Sequence, residues 1–549
     1  MHNALLYGLW AVASFVIYKF VNFIAKKRRH AIKARELGCQ PPPVWDSKDI
    51  LGITNTIKIV QAGKANRVPD YVVERFETIS KREGRPVSTM KQNTAGDTQI
   101  FTADPKNIQA LLATQFKDFV LGETRTNNFA PLLGYGIFTS DGKMWEHSRA
   151  MLRPQFARDQ VSDLELEETH VQNLLKALPV DPSTGWTDVT DIEPLFFRLT
   201  LDSATEFLFG ESVDSQLANL PGKTDSTPID PARDEKAFAY AFDSAQGFLA
   251  QGARLGDMYW LAHNAEFKQL CKQVHVFVDS FVQQALNQVP AEKDVEKTGN
   301  SDGSKKKHKY ILSHALAEQT RDPIELRAQM LNILLAGRDT TASLLSWLFM
   351  LLAQHPSIFK KLRTAILDDF GPYKETPAES DITFSKLKNC TYLQHTLSET
   401  LRLYPLVPLN SRRAHIDTSI PRGGGPDGTA PIFVPKGTEV NYSVHVMHHS
   451  RTLWGPDAEL FKPERWEGRK AGWEFLPFNG GPRICIGQQF ALTEASFVVV
   501  RLLQRFETLE AGEGLGEVRA KGKEGLHGLS LTNCPSEGVR VRLREAGRA

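Results

Sequence analysis

Ten residues near the C-terminus, Phe478-Asn479-Gly480-Gly481-Pro482-Arg483-Ile484-Cys485-Ile486-Gly487, set one cysteine among glycines, a proline and an arginine. A free cysteine is ordinarily a buried, inert thiol. A thiolate bound to haem iron, by contrast, pushes electron density onto dioxygen and favours O–O cleavage. The glycines let backbone come close to a flat ring system and adopt turn conformations closed to other residues. Backbone N–H groups can then point at the sulfur and tune its basicity. Arg483, two residues before Cys485, can meet a ligand carboxylate with a charge-assisted fork. Cys39, Cys271, Cys390 and Cys534 lie far apart, with no CxxC or CxxCH spacing. They form neither a disulfide framework nor a zinc site, and read as reduced packing residues.

A second unusual string lies in a long apolar helix predicted from Glu325-Leu326 to Leu352 and ended by His355-Pro356. At its centre stand Ala336-Gly337-Arg338-Asp339-Thr340-Thr341. Glycine costs up to about 1 kcal/mol there relative to alanine, and buried charge costs more unless paired. A local rule broken this clearly marks a functional site. Ala336 and Gly337 leave room against the helix backbone, a threonine hydroxyl can loosen the helical bonding, and Asp339 can relay protons. The plain alternative is a structural helix kinked by its threonines.

Three weaker patterns accompany these two. Glu399 and Arg402 share a helix face before Pro405, which alone reads as a solvated pair. Pro463-Glu464-Arg465-Trp466 follows, twenty residues before the cysteine. Trp145 and Arg149 share a face of a helix ending near Pro154, both of them donors; core packing explains that spacing equally well.

The F-x-x-G-x-R-x-C-x-G spacing resembles the haem-binding loop of the cytochrome P450 monooxygenases, and A-G-x-D-T-T resembles their oxygen-activation motif. The resemblance implies haem b with Cys485 as metal ligand. It places Phe478, Gly481 and Gly487 in the cofactor loop, and Arg483, Trp145, Arg149 and Arg412 at the haem propionates, although Arg413 competes for the last position. Thr340 becomes the key hydroxyl, with Asp339 relaying protons to it. Glu399, Arg402 and Arg465 become a buried structural ion network, which tolerates no missing partner. His448-His449, the obvious rival haem ligands, are expected at the surface.

Length alone would suggest three domains in 549 residues. No adequate linker divides the middle, and the haem motifs are scattered from 145 to 487. The expectation is a mostly α fold: one large helical domain with small β-sheets, preceded by one transmembrane helix. Strand signals are confined to short patches, of which 85–103 and 419–445 stand out. Residues 289–309 are low in complexity and are expected as an exposed connector. Their Lys305-Lys306-Lys307 run imitates a nuclear localisation signal.

Lys plus Arg exceed Asp plus Glu by 66 − 64 = 2, which argues against nucleic acid as a partner. Residues 4–25 are almost wholly apolar, about the length that spans a bilayer. Lys26, Lys27, Arg28 and Arg29 follow at once, and no Lys or Arg precedes, so the body is expected on the cytosolic side. A cleaved signal peptide would carry its charges at the other end. Residues 1–30 thus read as anchor and basic flank, 31–44 as a proline-rich hinge around Pro41-Pro42-Pro43, and 45–549 as the catalytic domain. An SH3 ligand is the other reading of the prolines.

No nicotinamide or flavin fingerprint is evident, so electrons must come from outside. The resemblance implies an NADPH-dependent cytochrome P450 reductase, with cytochrome b5 as an optional second donor, at the endoplasmic reticulum membrane. It implies insertion of one oxygen atom into a C–H bond of an apolar small molecule. Asp118-Phe119-Val120-Leu121-Gly122, Phe129-Ala130-Pro131-Leu132-Leu133-Gly134 and the segment 421–428 resemble fungal alkane and fatty-acid terminal hydroxylases. Apolar segments at 132–138, 242–249, 334–335, 407–409 and 528–531 are the expected pocket lining. A polyketide- or terpene-like substrate would suit them too. A reductase-independent haem-thiolate isomerase or dehydratase, and a non-catalytic haem binder, are the rivals from other classes.

Overall fold

The computed structural model describes residues 2–547 except 47, 95, 157–163, 221–233, 298–310, 379–380 and 514–526. Its axis is one helix, Pro323–Gln354, capped by Asp322, whose carboxylate accepts from the Ile324 N–H. Pro323 sits at the first helical position, where its missing N–H costs nothing. The helix ends at His355, before Pro356. It is buried along nearly its whole length and so needs no polar face.

Two hydrophobic cores share this axis. Leu326 to Leu335 belong to one, with Leu132, Phe242 and Phe267. Ala342 to Ala353 belong to the other, packed with Phe359, Leu397 and Phe497 from helices Pro356–Phe370, Thr391–Leu403 and Gln488–Arg505. Residues 336–341 fall between the two. The polar string therefore interrupts neither core; it occupies the seam where they meet.

Sheet structure is small, and both expected patches form strands. A five-stranded sheet runs in the order Thr89–Thr94, Asp97–Thr102, Glu439–Ser443, Leu409–Ala414, Phe119–Val120. Its only parallel pair joins the second and third of these. Hairpin Thr418–Gly424 with Ala430–Val434 packs beside it, and a three-stranded sheet gathers Thr190–Asp191, Phe506–Ala511 and Arg540–Glu545.

The N-terminal helix runs from His2 to Glu36, past the basic run, and its apolar residues from Tyr7 to Ile24 are exposed. Among the described residues it is the one helix long and apolar enough by itself to cross a membrane. It stops at Gly38, whose φ of 64° lies in the left-handed region. The expected connector needs correction at its start: helix Ala265–Lys297 continues through 289–297, because a polar sequence can extend a helix already nucleated by a packed face. Gly299 to Lys309 lie outside the described residues.

Candidate active site

The cysteine loop is closed on itself by the Cys485 N–H, which donates to Phe478 O at 3.0 Å. Gly481 has φ 68°, and a Cβ there would lie 1.8 Å from Leu112 O. No other residue fits that approach. Helix Gln488–Arg505 starts immediately after Gly487, aiming its N-terminal end back at the loop. Burial raises the Cys485 thiol, while the Gly487 N–H and the Arg149 charge oppose that rise. The side chain lies deep in the fold yet is uncovered by protein, which leaves the sulfur open to a ligand.

Around this loop gather four guanidinium groups. Arg483 packs over the Trp145 ring at 4.3 Å and Arg149 over the same ring at 5.8 Å, both from helix Gly142–Leu152 or the loop facing it. Arg149 donates to Ile484 O at 2.9 Å. Arg483 donates to Asp141 Oδ1 at 2.8 Å and Ser140 O at 3.0 Å. Strand alternation sends Arg412 inward, buried, while Arg413 turns out to Asp257 at 2.9 Å. Of the two neighbours, Arg412 is therefore the one that faces the interior. The fourth, Arg125, carries no sequence signature; it donates to Asn410 Oδ1 at 2.8 Å.

Two of these cations, Arg125 and Arg483, are depressed by burial and by their neighbours' charges. Burial, then Arg412, pushes Arg125 down to about 10. Burial pushes Arg483 down to about 9 despite Asp141, with Arg412, Arg125 and Arg149 adding to the fall. Among the described residues, Asp141 is the one carboxylate hydrogen-bonded to any of the four. The Nε of Arg412 is buried without a partner. Such an excess of buried positive charge fits a dianionic ligand, and the uncovered sulfur and the glycine approach fit a flat one. The residues present thus suit haem with its two propionates.

On the central helix, Thr340 is half-buried and donates to Ala336 O at 2.6 Å, capturing the carbonyl four residues back. The helix stays continuous there. Asp339 is buried and held by Arg338 at 2.9 Å. Arg338 in turn reaches Asp243 on helix Glu235–Leu255, one contact measuring 3.1 Å. The two buried charges are therefore paired, through a partner 95 residues away. Burial pushes Asp339 up to about 6; Arg338 opposes the rise and Asp243 adds to it. Its carboxyl borders a cavity of about 690 Å³ lined by Glu193, Phe197, Leu201, Asp243, Leu529 and Thr532 among others.

The third group is balanced. Arg402 spends all five N–H donors: two on Glu399, and one each on His448 O, Ala458 O and Leu460 O. Arg465 joins Glu399 at 3.1 Å and Asp457 at 2.8 Å, and the Trp466 indole donates to Glu399 at 3.0 Å. Glu399 and Arg402 are fully buried, not a surface pair.

Here the surface expectation for His448 fails. It is fully buried, its Nδ1 against Arg402 O at 3.1 Å and its Nε2 accepting from the Leu476 N–H at 3.0 Å. Burial, helped by Arg402, holds its pKa well below the ordinary value. His449 is partly buried, with both nitrogens bonded, to Glu459 and to Leu403 O at 2.8 Å each. Neither ring is available to a haem.

The expected apolar lining converges in part. Leu132, Leu133, Ile137, Phe138, Phe242, Phe248, Leu249, Leu334, Leu335 and Leu531 pack in one cluster that also holds Ile486, next to Cys485. Residues 407–409 do not join it: Val407 is exposed, and Leu409 packs against the five-stranded sheet's core.

A family model described as Cytochrome P450 matches residues 68–518. The chain is similar to cytochrome P450 monooxygenase g430 of a Fusarium species, 53% identical over 97% of this chain and 90% of that protein. Cytochrome P450 52A12 of Debaryomyces hansenii is 47% identical over 92% of each chain. Cytochrome P450 monooxygenase alt2 of Alternaria solani is 43% identical, over 91% of this chain and 92% of that one.

Proposed function

The chain belongs to the cytochrome P450 family, and on that premise we propose that it hydroxylates the terminal carbon of an n-alkane or fatty acid. As a member it is a haem-thiolate monooxygenase that takes electrons from a redox partner and acts on an apolar molecule. Haem held by a cysteine thiolate activates dioxygen for insertion of one atom into a C–H bond, the other leaving as water. The observation that carries the substrate reading is the apolar cluster beside Ile486, which draws leucine and phenylalanine from four separate segments. A long apolar lining with few polar groups suits an alkyl chain. The likeness of residues 118–122, 129–134 and 421–428 to fungal alkane and fatty-acid hydroxylases supports the same reading.

Each residue then has a task. Cys485 holds the cofactor, and Arg412, Arg483, Arg149 and Trp145 meet its propionates. Phe478, Gly481 and Gly487 shape the loop that leaves the sulfur uncovered. Thr340 presents its hydroxyl from the seam of the central helix, and Asp339, its carboxyl poised near 6 by burial, supplies the proton that the hydroxyl passes on. Electrons come from an NADPH-dependent cytochrome P450 reductase, with cytochrome b5 as an auxiliary. The N-terminal helix anchors the body on the cytosolic face of the endoplasmic reticulum.

Membranes carrying the protein and a reductase, offered alkanes and fatty acids side by side, yield chain-terminal alcohols by mass spectrometry. Oxidation of a polyketide- or terpene-like compound with no terminal alcohol sinks the lipid reading. In Thr340→Ala, electron consumption separates from product and hydrogen peroxide is released. Unchanged coupling removes Thr340 from the proton path.

A further inference from the structure

We propose that Asp70, His445 and His527 form a binding site for one divalent transition-metal cation, zinc being the best match to their donor set. The site is independent of the haem reaction and uses none of the residues given a task above. Asp70 lies on helix Val68–Glu83, His445 on helix Val444–His448 and His527 at the start of strand His527–Leu529. Their potential ligand atoms all lie within 4.8 Å of one another, the one such group of three found among the described residues.

Geometry at His527 fixes its tautomer. Its Nδ1 sits 2.9 Å from Asn533 Oδ1, an oxygen that can only accept, so Nδ1 carries the hydrogen. In the neutral ring Nε2 then offers its lone pair, and it faces Asp70 Oδ1 at 3.5 Å. Two ligands of a tetrahedral zinc, each about 2.0–2.1 Å from the metal, stand about 3.4 Å apart, close to the spacing found. A ring nitrogen bonded to an amide oxygen on its far side is also how metal-binding histidines are usually oriented.

The second observation is His445. It is 3% exposed, and its Nδ1 is buried with no hydrogen-bond partner. An orphaned buried polar atom in a native fold calls for an explanation, and an ion is one. The His445 ring stands edge-on to His527, centroids 5.3 Å apart. Neighbouring imidazoles are not competitors, because both nitrogens of His448 and of His449 are already bonded. Two imidazoles and one carboxylate select a borderline cation over calcium or magnesium, which prefer oxygen cages. The partly exposed Asp70 carboxylate gives the ion its way in. A bound cation would clip helix Val68–Glu83 to the hairpin that His527 opens. It would also steady the strand that runs into the cavity lining at Leu529.

The test uses the full-length, tag-free, haem-loaded protein in detergent, stripped with a chelator and given a small excess of zinc sulfate. After gel filtration, elemental analysis reads zinc against iron, and thermal unfolding is followed with and without zinc. The expected result is about one zinc per iron and a Tm that rises with zinc. Asp70→Asn, a conservative change at a partly exposed position, lowers retained zinc at least about tenfold with iron content unchanged; His445→Gln does the same. His449→Gln retains zinc as the unaltered protein does. Less than about a tenth of an equivalent on the unaltered protein, or equal retention by Asp70→Asn, overturns the site.

Discussion

Two groups of arginines in this body, each with one fully or nearly fully buried member, are built on opposite principles. Arg402 and Arg465 are met within the protein: Glu399, Asp457 and a set of carbonyls take up their donors. Arg125, Arg149, Arg412 and Arg483 are not: among the described residues Asp141 is the one carboxylate that bonds to them, and neighbouring cations help to depress Arg125 and Arg483. One network is complete within the protein; the other carries positive charge that an anionic ligand would balance. The cavity beside Asp339 gathers four carboxylates, Glu193, Glu235, Asp243 and Asp339, with Arg198, Lys236 and Arg338. There burial and like charges push Glu193 up to about 8, Glu235 to about 7 and Asp339 to about 6.

The hardest blow to this contrast falls on Glu399→Ala. It strands Arg402 and Arg465 in the interior, which costs about 3–5 kcal/mol. Urea unfolding should show that loss, together with little haem-loaded protein. A variant as stable as the parent would mean that the network is not the brace described. Arg412→Leu should behave differently. Removing one cation from a like-charged cluster leaves the haem-free protein as stable or more so, while haem passes to a scavenging globin about tenfold faster, the worth of one charge-assisted bond. Equal destabilisation of both forms would erase the distinction. Arg413→Leu, on the outer face of the same strand, should change either property by less than about 0.5 kcal/mol.

Glu193→Gln gives the smallest and most specific effect. Its folded-state value, raised from 4.5 to about 8 mainly by burial and next by Asp191, means that the folded form keeps a proton the unfolded chain has released. Stability therefore falls as pH rises through that interval, and a glutamine does not titrate. The Tm difference should shift in favour of the variant between pH 6 and 8.5. A difference independent of pH would show an ordinary ionised carboxylate.

What could be read from residues alone follows the same division. The cysteine loop and the A-G-R-D-T-T string were legible because each breaks a local rule within ten residues. Arg402 was legible through Glu399, one turn away, although its burial was not. Arg125 was invisible, because it comes to the cluster through Asn410, 285 positions on. Asp243 was invisible as the partner of Arg338 for the same reason, and so was the meeting of Asp70, His445 and His527. His448 was misread because its surroundings in the chain are polar, while its surroundings in space are the carbonyl of Arg402 and the N–H of Leu476. Spacing reports neighbours on one helix turn or one strand face; it is silent on pairs closed by the fold.

The N-terminal helix does not end in a slack tether. Gln40 N bonds to Pro431 O at 2.8 Å, Gly425 N to Pro41 O at 3.1 Å and Lys91 N to Pro43 O at 2.9 Å, while Asp417 lies 3.8 Å from His30. Residues 26–36 add about 16 Å of continuous helix beyond the apolar stretch. Post and platform are thus joined stiffly, so embedding the first would fix both the altitude and the tilt of the second. Any opening on that underside would be held at one depth relative to the lipid, rather than sampling many.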